Sequence, residues 1–431
     1  MDGPRVVALS AFVLSYGAIM SGRVHRAVAA LAGAVAVGLF VLPPARLLEA
    51  QNWETLLFIF GMMVVIGTLE RSGAFRWLGL HVARWARLDA LRLFVGLSFL
   101  AAVLAAFVDS ITVMLFLASL TVEVARLAEV PALPIIVAEI TAANIGGAAT
   151  LVGDPPNVIL GTHFGLSFLD FAWHTGPPAM LALALNMGLL LLVFRGEVLG
   201  SRRQLAADPA ARARRVALLR PDQAVKDLHL FRTGWLALAV VVALLVVHRE
   251  VGVPIGVIGV CAGALVLLVG GQHKMGEVLE SLDWATLLFF GALFLIVGAM
   301  EQTGLLDSVA GFVRELSGGR VGPTVSVLLW FGAFGSAVVD NVPFAATMAP
   351  LIGHLAGPGM SLEPLVWATA LGTDIGGNMT PIGASANVVG LAVYERATGD
   401  RVTWGRYLRA AVPATLAAVV SVNAFLWLVH R

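Results

Sequence analysis

Residues 144–157 read Asn-Ile-Gly-Gly-Ala-Ala-Thr-Leu-Val-Gly-Asp-Pro-Pro-Asn, inside an apolar run that extends over about 132–159. A continuous membrane helix does not tolerate Gly153-Asp154-Pro155-Pro156. Two prolines remove two backbone donors, and the glycine permits non-helical backbone. The stretch therefore predicts a helix broken inside the membrane. One half-helix then begins with free N–H groups and the other ends with free carbonyls, and these dipole ends can hold an anion or a cation respectively. A second copy, Asp374-Ile-Gly-Gly-Asn-Met-Thr-Pro-Ile-Gly-Ala-Ser-Ala-Asn387, supplies Pro381, Gly383, Ser385 and Asn387 for an equivalent break. Close helix packing accounts equally well for Gly146-Gly147 and Gly376-Gly377. It does not account for an Asp and an Asn beside a double proline.

The rest of the chain supplies the membrane. Of its 431 residues, 59% are apolar and 13% charged, where soluble proteins carry about a quarter charged. So few charges cannot make a water-facing surface, so the chain is expected to be an all-α polytopic membrane protein of the cell's inner membrane, in contact with lipid. A net charge of +1 leaves no basic surface for nucleic acid. Cys261 is the single cysteine, so there is neither a disulfide framework nor a thiolate metal cluster. Asp2 and Arg5 lead straight into an apolar run without a small-residue cleavage site, unlike a signal peptide.

Stretches long enough to cross about 30 Å of hydrocarbon fall at roughly 5–21, 24–42, 53–70, 132–159 and 171–194, and again at about 233–248, 254–270, 284–301, 363–391 and 408–430. Two further runs, about 91–121 and 322–353, carry Asp109-Ser110 and Asp340-Asn341 in their middles. An aspartate at that depth is costly, so these runs read as re-entrant hairpins with the polar cluster at the tip. The halves are duplicated. Trp53, Thr55, Leu56, Leu57, Phe58, Glu70, Gly73 and Asp109 recur 231 positions later as Trp284, Thr286, Leu287, Leu288, Phe289, Glu301, Gly304 and Asp340. Ile145-Gly146-Gly147, Thr150, Gly153 and Asn157 recur 230 positions later as Ile375-Gly376-Gly377, Thr380, Gly383 and Asn387. The expected domains are a first repeat over 1–194, a basic linker over 195–232 and a second repeat over 233–431.

Charge orients the repeats. Residues 71–92 hold five Arg against Asp89, whereas the equivalent 302–321 holds two Arg and two acids. By the positive-inside rule the first is cytoplasmic and the second is not. Loop 22–26, the linker with its nine basic and four acidic residues, and segment 392–409 also fall inside. Five spans, a hairpin and a broken helix per half then give two inverted repeats, the architecture of secondary transporters, with both termini extracytoplasmic. Segment 74–88, with Phe75, Trp77, Leu78, Val82 and Trp85 among arginines, reads as an amphipathic helix on the cytoplasmic interface.

Hairpin tips facing helix breaks form a polar cage at the repeat interface, in which Asp109, Asp154, Asp340 and Asp374 converge with Glu139 nearby. Four buried carboxylates cannot all stay charged without cations or hydrogen bonds, so some should exchange protons. Any one of them taken alone could be a helix cap or an Asx-turn. The nine histidines lack metal-ligand spacing, and His163 and His174 read as interfacial. Glu70 and Glu301 end equivalent spans and read as capping or headgroup contacts. No phosphate-binding loop or Ser/His/Asp set is present, which argues against an ATP-driven pump, a hydrolase or any enzyme.

Together, Phe107-Val-Asp109-Ser-Ile-Thr112, Asn144-Ile-Gly-Gly, Gly153-Asp-Pro-Pro-Asn157, Val339-Asp340-Asn-Val-Pro343, Gly376-Gly-Asn378 and Gly383-Ala-Ser-Ala-Asn387 resemble the ion transporter superfamily. The resemblance is to its branch of arsenite permeases, sodium–proton antiporters and pink-eyed dilution proteins. It implies a scaffold domain, a transport domain with two hairpins and two broken helices, and a homodimer with an elevator-type movement. An arsenite efflux system would add an ATPase subunit as partner. The binding tips of the family map onto Asp109, Ser110, Thr112, Asp340 and Asn341, and its broken-helix positions onto Asp154, Asn157, Ser385 and Asn387. Asn144, Asp374, Asn378 and Thr380 complete the candidate substrate- and ion-binding set. The more distant divalent anion:sodium symporters carry Ser-Asn-Thr at the tips. Acids in that place repel a dianion but suit a proton, a cation or an uncharged hydroxide. No cofactor or bound metal is expected, only a coupling ion, H+ or Na+. The function expected is proton-coupled efflux of a small inorganic substrate, arsenite or antimonite, with a sodium–proton antiporter as the alternative and sodium-coupled carboxylate or anion symport further off.

Overall fold

The computed structural model describes residues 3–205, 209–270, 272–280 and 282–429; Asp2 and the linker residues 206–208 lie outside them. The first half comprises α1 (Gly3–Ser21), α2 (Arg26–Phe40), α3 (Pro44–Glu49), α4 (Trp53–Ser72), α5 (Ala74–Ala86), α6 (Ala90–Ala105), α7 (Ser110–Ala128), α8 (Leu133–Gly147), α9 (Pro155–Phe164), α10 (Phe168–His174) and α11 (Gly176–Val193). The linker is itself helical, as α12 (Arg195–Leu205) and α13 (Pro209–Ala217). The second half comprises α14 (Leu228–Val251), α15 (Ile255–Val269), α16 (Gln272–Glu280), α17 (Trp284–Gln302), α18 (Leu305–Ser317), α19 (Val321–Val338), α20 (Asn341–Leu355), α21 (Leu362–Gly376), α22 (Ser385–Thr398) and α23 (Trp404–Val429).

Among the described residues eight helices are long and apolar enough to cross a membrane: α1, α4, α7, α11, α14, α17, α19 and α23. The protein is a multi-pass membrane protein. Both expected breaks are present: α8 stops at Gly147 before α9 starts at Pro155, and α21 stops at Gly376 before α22 starts at Ser385. Asp109 lies between α6 and α7 and Asp340 between α19 and α20, at the two expected tips. Two expected spans are short. The run at 24–42 yields α2 and that at 254–270 yields α15, each 15 residues, about 22 Å at 1.5 Å per residue. Pro43 and Pro254 bound them, as N-caps of α3 and α15. The run at 171–194 divides at Thr175 before the Pro177-Pro178 pair, into α10 and α11.

Packing repeats in matched pairs that exchange partners between halves. Helix α4 lies along α15 and α17 along α2, while α7 packs on α22 and α20 on α9. Within each half, α6 packs on α8 and α19 on α21. Glycine makes those inner contacts possible. A Cβ added at Gly146 would sit 2.2 Å from the carbonyl oxygen of Ala102, and one at Gly376 would sit 2.2 Å from the Cα of Ala333. The packing reading of the two glycine pairs is therefore correct for their first members. The linker rests on the first half. Arg215 pairs with Glu129 at 2.6 Å, Arg212 lies 3.9 Å from Asp89, and Lys226 donates its backbone N–H to Ser72. Segment 74–86 is the helix α5, with Phe75, Leu80 and Ala83 buried and Trp85 exposed.

Candidate functional site

The two breaks are tied off in the same way. A helix that stops inside the protein leaves carbonyls without partners. Asn157 Nδ2 donates to the carbonyls of Gly147 (3.1 Å) and Thr150 (2.8 Å), and Asn387 Nδ2 to those of Gly377 (2.8 Å) and Thr380 (2.7 Å). The Thr150 hydroxyl donates to the Ala106 carbonyl and the Thr380 hydroxyl to that of Ala337, binding each break to its hairpin. Prolines 155 and 156 occupy the first turn of α9, where a missing N–H costs no hydrogen bond. An amide chain joins the two breaks: Asn144 Nδ2 donates to the side-chain oxygens of Asn378 (2.7 Å) and Asn387 (2.8 Å). Asn378 Nδ2 donates to the Thr141 carbonyl, and the Tyr407 hydroxyl to the Asn378 carbonyl. Asn157, Asn387, Thr150 and Thr380 thus spend their donors on the backbone. The carbonyls that each break would offer to a cation already accept from these two asparagines.

The four aspartates occupy four different settings. Asp109 is the N-cap of α7, its Oδ1 accepting from the Thr112 N–H at 2.9 Å. Asp154 sits at the N-cap position of α9 but does not cap it. Its Oδ1 turns to the first hairpin tip, accepting from the Ser110 N–H (3.1 Å) and hydroxyl (2.8 Å). Asp340 precedes α20 without capping it and accepts the Ser385 hydroxyl at 2.5 Å. Asp374, fully buried near the end of α21, accepts from Asn341 Nδ2 at 3.3 Å. Asp154 feels the charges of both Asp109 and Asp340, and Asp374 that of Asp154. One oxygen each of Asp154, Asp340 and Asp374 is buried without a hydrogen-bond partner. Glu139 stands apart, buried on α8, with Thr121 of α7 donating to it.

Surroundings distinguish the two tips. Beside the first lies a cavity of about 320 Å³, reached by Asp109, Thr112, Glu70, Asp283 and Thr286 and walled by Phe58, Met62, Ile66 and Phe290. It holds three acids, and no basic side chain lines it among the described residues. Its α4 wall runs from Phe58 to Glu70, about 18 Å of helix. Glu70 also lines a second opening of about 400 Å³ with Arg71, Lys226, Asp227 and Glu277. It thus lines both spaces. The second tip faces Arg26 instead, whose Nη1 lies 3.6 Å from Asp340 Oδ2 and donates to Ser385 Oγ at 3.1 Å.

Comparison with known proteins decides the family. The model of the citrate transporter family CitMHS matches residues 16–372. The chain belongs to that family. It is 34% identical to the uncharacterized transporter Rv2684 of Mycobacterium tuberculosis over 433 residues, 98% of each chain. It is 27% identical to the human P protein, a pink-eyed dilution protein, over 88% of this chain and 55% of that one. Among solved structures, the YdaH transporter of Alcanivorax borkumensis superposes with a TM-score of 0.59 at 17% identity, covering 99% and 98% of the two chains. MtrF of Neisseria gonorrhoeae, described as one of a class of antimetabolite efflux pumps, gives 0.54 at 14%. These two share the fold. The protein is a secondary transporter of the ion transporter superfamily and not an enzyme.

For this member of CitMHS, the match spans both hairpin tips and the first break, while Asp374, Ser385 and Asn387 lie just beyond it. The structure brings Ser110, Asp154, Asn341, Asp374, Asn144, Asn378 and Asn387 into side-chain contact with one another in pairs and chains. It leaves Thr112 and Asp109 on the open cavity. Sequence reasoning missed Arg26, Asp283, Thr286 and Tyr407. In the sequence Arg26 is one charge of loop 22–26 and Thr286 one repeat marker, with nothing to single out either. Among the described residues no group of three His, Cys, Asp or Glu could hold a metal ion. His174 stacks on Trp367 at 5.1 Å between ring centres, and is a packed aromatic rather than a ligand.

Proposed function

We propose that the protein exports an uncharged metalloid hydroxide, arsenite or antimonite, in exchange for protons, using the cavity at the first hairpin tip. One observation carries this reading: the cavity presents three acids, Glu70, Asp109 and Asp283, with the hydroxyls of Thr112 and Thr286, and no base among its described lining residues. An acid-lined, apolar-walled space favours a proton or cation and tolerates a neutral trihydroxide, which needs donors and acceptors rather than a charged clamp. Free citrate, an anion of several charges at neutral pH, meets three acids there, against one guanidinium, Arg26, held behind Thr286 and Asp283. Asp109 loads a proton when the cavity is open to one side and releases it on the other, so the bound proton changes the affinity for substrate and the substrate that for the proton.

The movement is of elevator type between two inverted repeats. Its support is the grouping of helices: α2, α4, α15 and α17 pack together, and the hairpins pack with the broken helices. Lys226, in the basic linker, lines the opening that adjoins the cavity, so the conformation described is open to the cytoplasmic side by the positive-inside rule. A homodimer in the inner membrane follows from the same family resemblance. A sodium–proton antiporter is the second reading, favoured by the acidic lining of the cavity, which attracts cations. Everted vesicles under an imposed proton gradient, given arsenite, antimonite, sodium and citrate in parallel, separate these. Uphill accumulation of arsenite or antimonite supports the first reading. Sodium-dependent proton movement without metalloid accumulation replaces it with the second, and citrate accumulation contradicts both.

A further inference from the structure

Asp109 and Asp340 are equivalent by repeat, yet only the second carries a cation of the protein's own. Arg26, in the first turn of α2, reaches it from the opposite packing group. Its Nη1 donates to Ser385 Oγ (3.1 Å) and lies 3.6 Å from Asp340 Oδ2. Its Nη2 donates to Thr286 Oγ1 (2.7 Å) and lies 3.9 Å from Asp283 Oδ2. The guanidinium carbon stands 5.3 Å from the Phe289 ring centre, a cation–π contact. Both partners are largely shielded, with 24% of the Arg26 side chain and 16% of the Asp340 side chain exposed. Five groups, from α17 and the turn before it, the second tip and the second break, thus converge on one guanidinium.

The first tip lacks three of these parts, although Thr55, Phe58 and Asp109 stand as the equivalents of Thr286, Phe289 and Asp340. The residue 231 positions after Arg26 is Val257, and the equivalents of Asp283 and Ser385 are Asn52 and Pro155. Where the second tip has a guanidinium, the first has an open cavity.

We propose that Arg26 is the resident cation of the second tip, so that Asp340 binds no exchangeable cation in this conformation and the first tip alone takes one. An arginine stays protonated at every working pH, so this cation does not come and go with the proton gradient. The charged groups facing Asp340 are Arg26 from α2, Asp283 from the turn before α17 and Asp154 from the first break. Removing Arg26 leaves an acid with only acids around it, which recovers neutrality by taking a proton or Na+. The role of this second tip rests on the cation-coupled reading of the first.

The test counts cations on purified full-length protein, with H+ uptake on a step from mildly alkaline to mildly acidic pH and radioactive sodium binding as the two probes. Arg26→Gln should take up one more cation per chain than wild type. Arg26→Gln combined with Asp340→Asn should return the count to the wild-type value, and Arg26→Lys should keep it. Equal counts in wild type and Arg26→Gln would overturn the proposal, as would a double variant that falls one below wild type, because Asp340 would then carry an exchangeable cation already. The double variant removes both charges together, so it serves even if the single one folds poorly. If instead Asp109→Asn leaves the wild-type count unchanged, the cation-coupled reading of the first tip fails while the Arg26 result still stands.

Discussion

The two hairpin tips begin from the same residue at the same place in a repeat and end in opposite chemical states. Asp109 caps its helix and looks into a cavity of about 320 Å³ lined by acids. Asp340 caps nothing and is bound to a hydroxyl and a guanidinium. Behind them the two breaks are nearly superimposable in their hydrogen bonding, each held by one asparagine to two carbonyls. Duplication thus preserved the scaffolding of both sites, and two changes, Arg26 against Val257 outside the motifs and Ser385 against Pro155 within them, separate the settings of their tips.

The sharpest way to break this comparison is to make the first tip resemble the second. Met62→Lys sets a base in the acid cavity, as Arg26 sets one at the other tip, and should lower coupled flux tenfold or more, the equivalent of about 1.4 kcal/mol; vesicle transport rates read it directly. Next in size are the parts held in common. Asn157→Ala and Asn387→Ala each strip the partner from two buried carbonyls, at about 1–3 kcal/mol per group, and thermal unfolding in detergent should show similar losses for both. Gly146→Ala and Gly376→Ala each force a methyl to 2.2 Å from the facing helix backbone, overpacking that costs about 1–3 kcal/mol; here too the two halves should suffer alike. The smallest effect belongs to a site outside the contrast. Asp400, in the loop after α22, has its carboxyl held below the usual range by the Tyr394 hydroxyl and then by Arg406. A carboxyl so lowered stabilises the fold above its unfolded value, and the contribution is lost as pH falls through the folded one. Because this group is solvent-exposed, Asp400→Asn should shift the melting temperature slightly at neutral pH and not at all in strong acid.

The backbone breaks were legible because their cause is local. Pro155, Pro156 and Gly153 cannot continue a helix, and Pro381 with Gly383 repeats the statement. The tips were legible for the same reason, an aspartate in an apolar run. What sequence could not supply was pairing. Convergence of four aspartates in one cage does not say which tip Asp154 and Asp374 bind; their repeat equivalents are Ala384 and Asn144, and each binds the tip of its own half through Ser110 or Asn341. Arg26 lies 314 positions from Asp340, and no period or motif links them; only the packing of α2 on α17 brings them together. At α2 and α15 the apolar runs exceed the helices by one or two residues at each end, because hydropathy does not register the caps and turns that stop the backbone. The duplication itself was the most informative signal, since it marked which differences to look for once contacts were known.

The central claim, that Asp109 on its open cavity couples transport to protons, is tested most directly by uphill flux in everted vesicles under an imposed pH gradient, comparing wild type with Asp109→Asn. Proton-driven accumulation of arsenite or antimonite by wild type is predicted to vanish in the variant, leaving at most downhill movement without pH dependence. Accumulation by Asp109→Asn at the wild-type level and with the wild-type pH dependence would contradict it.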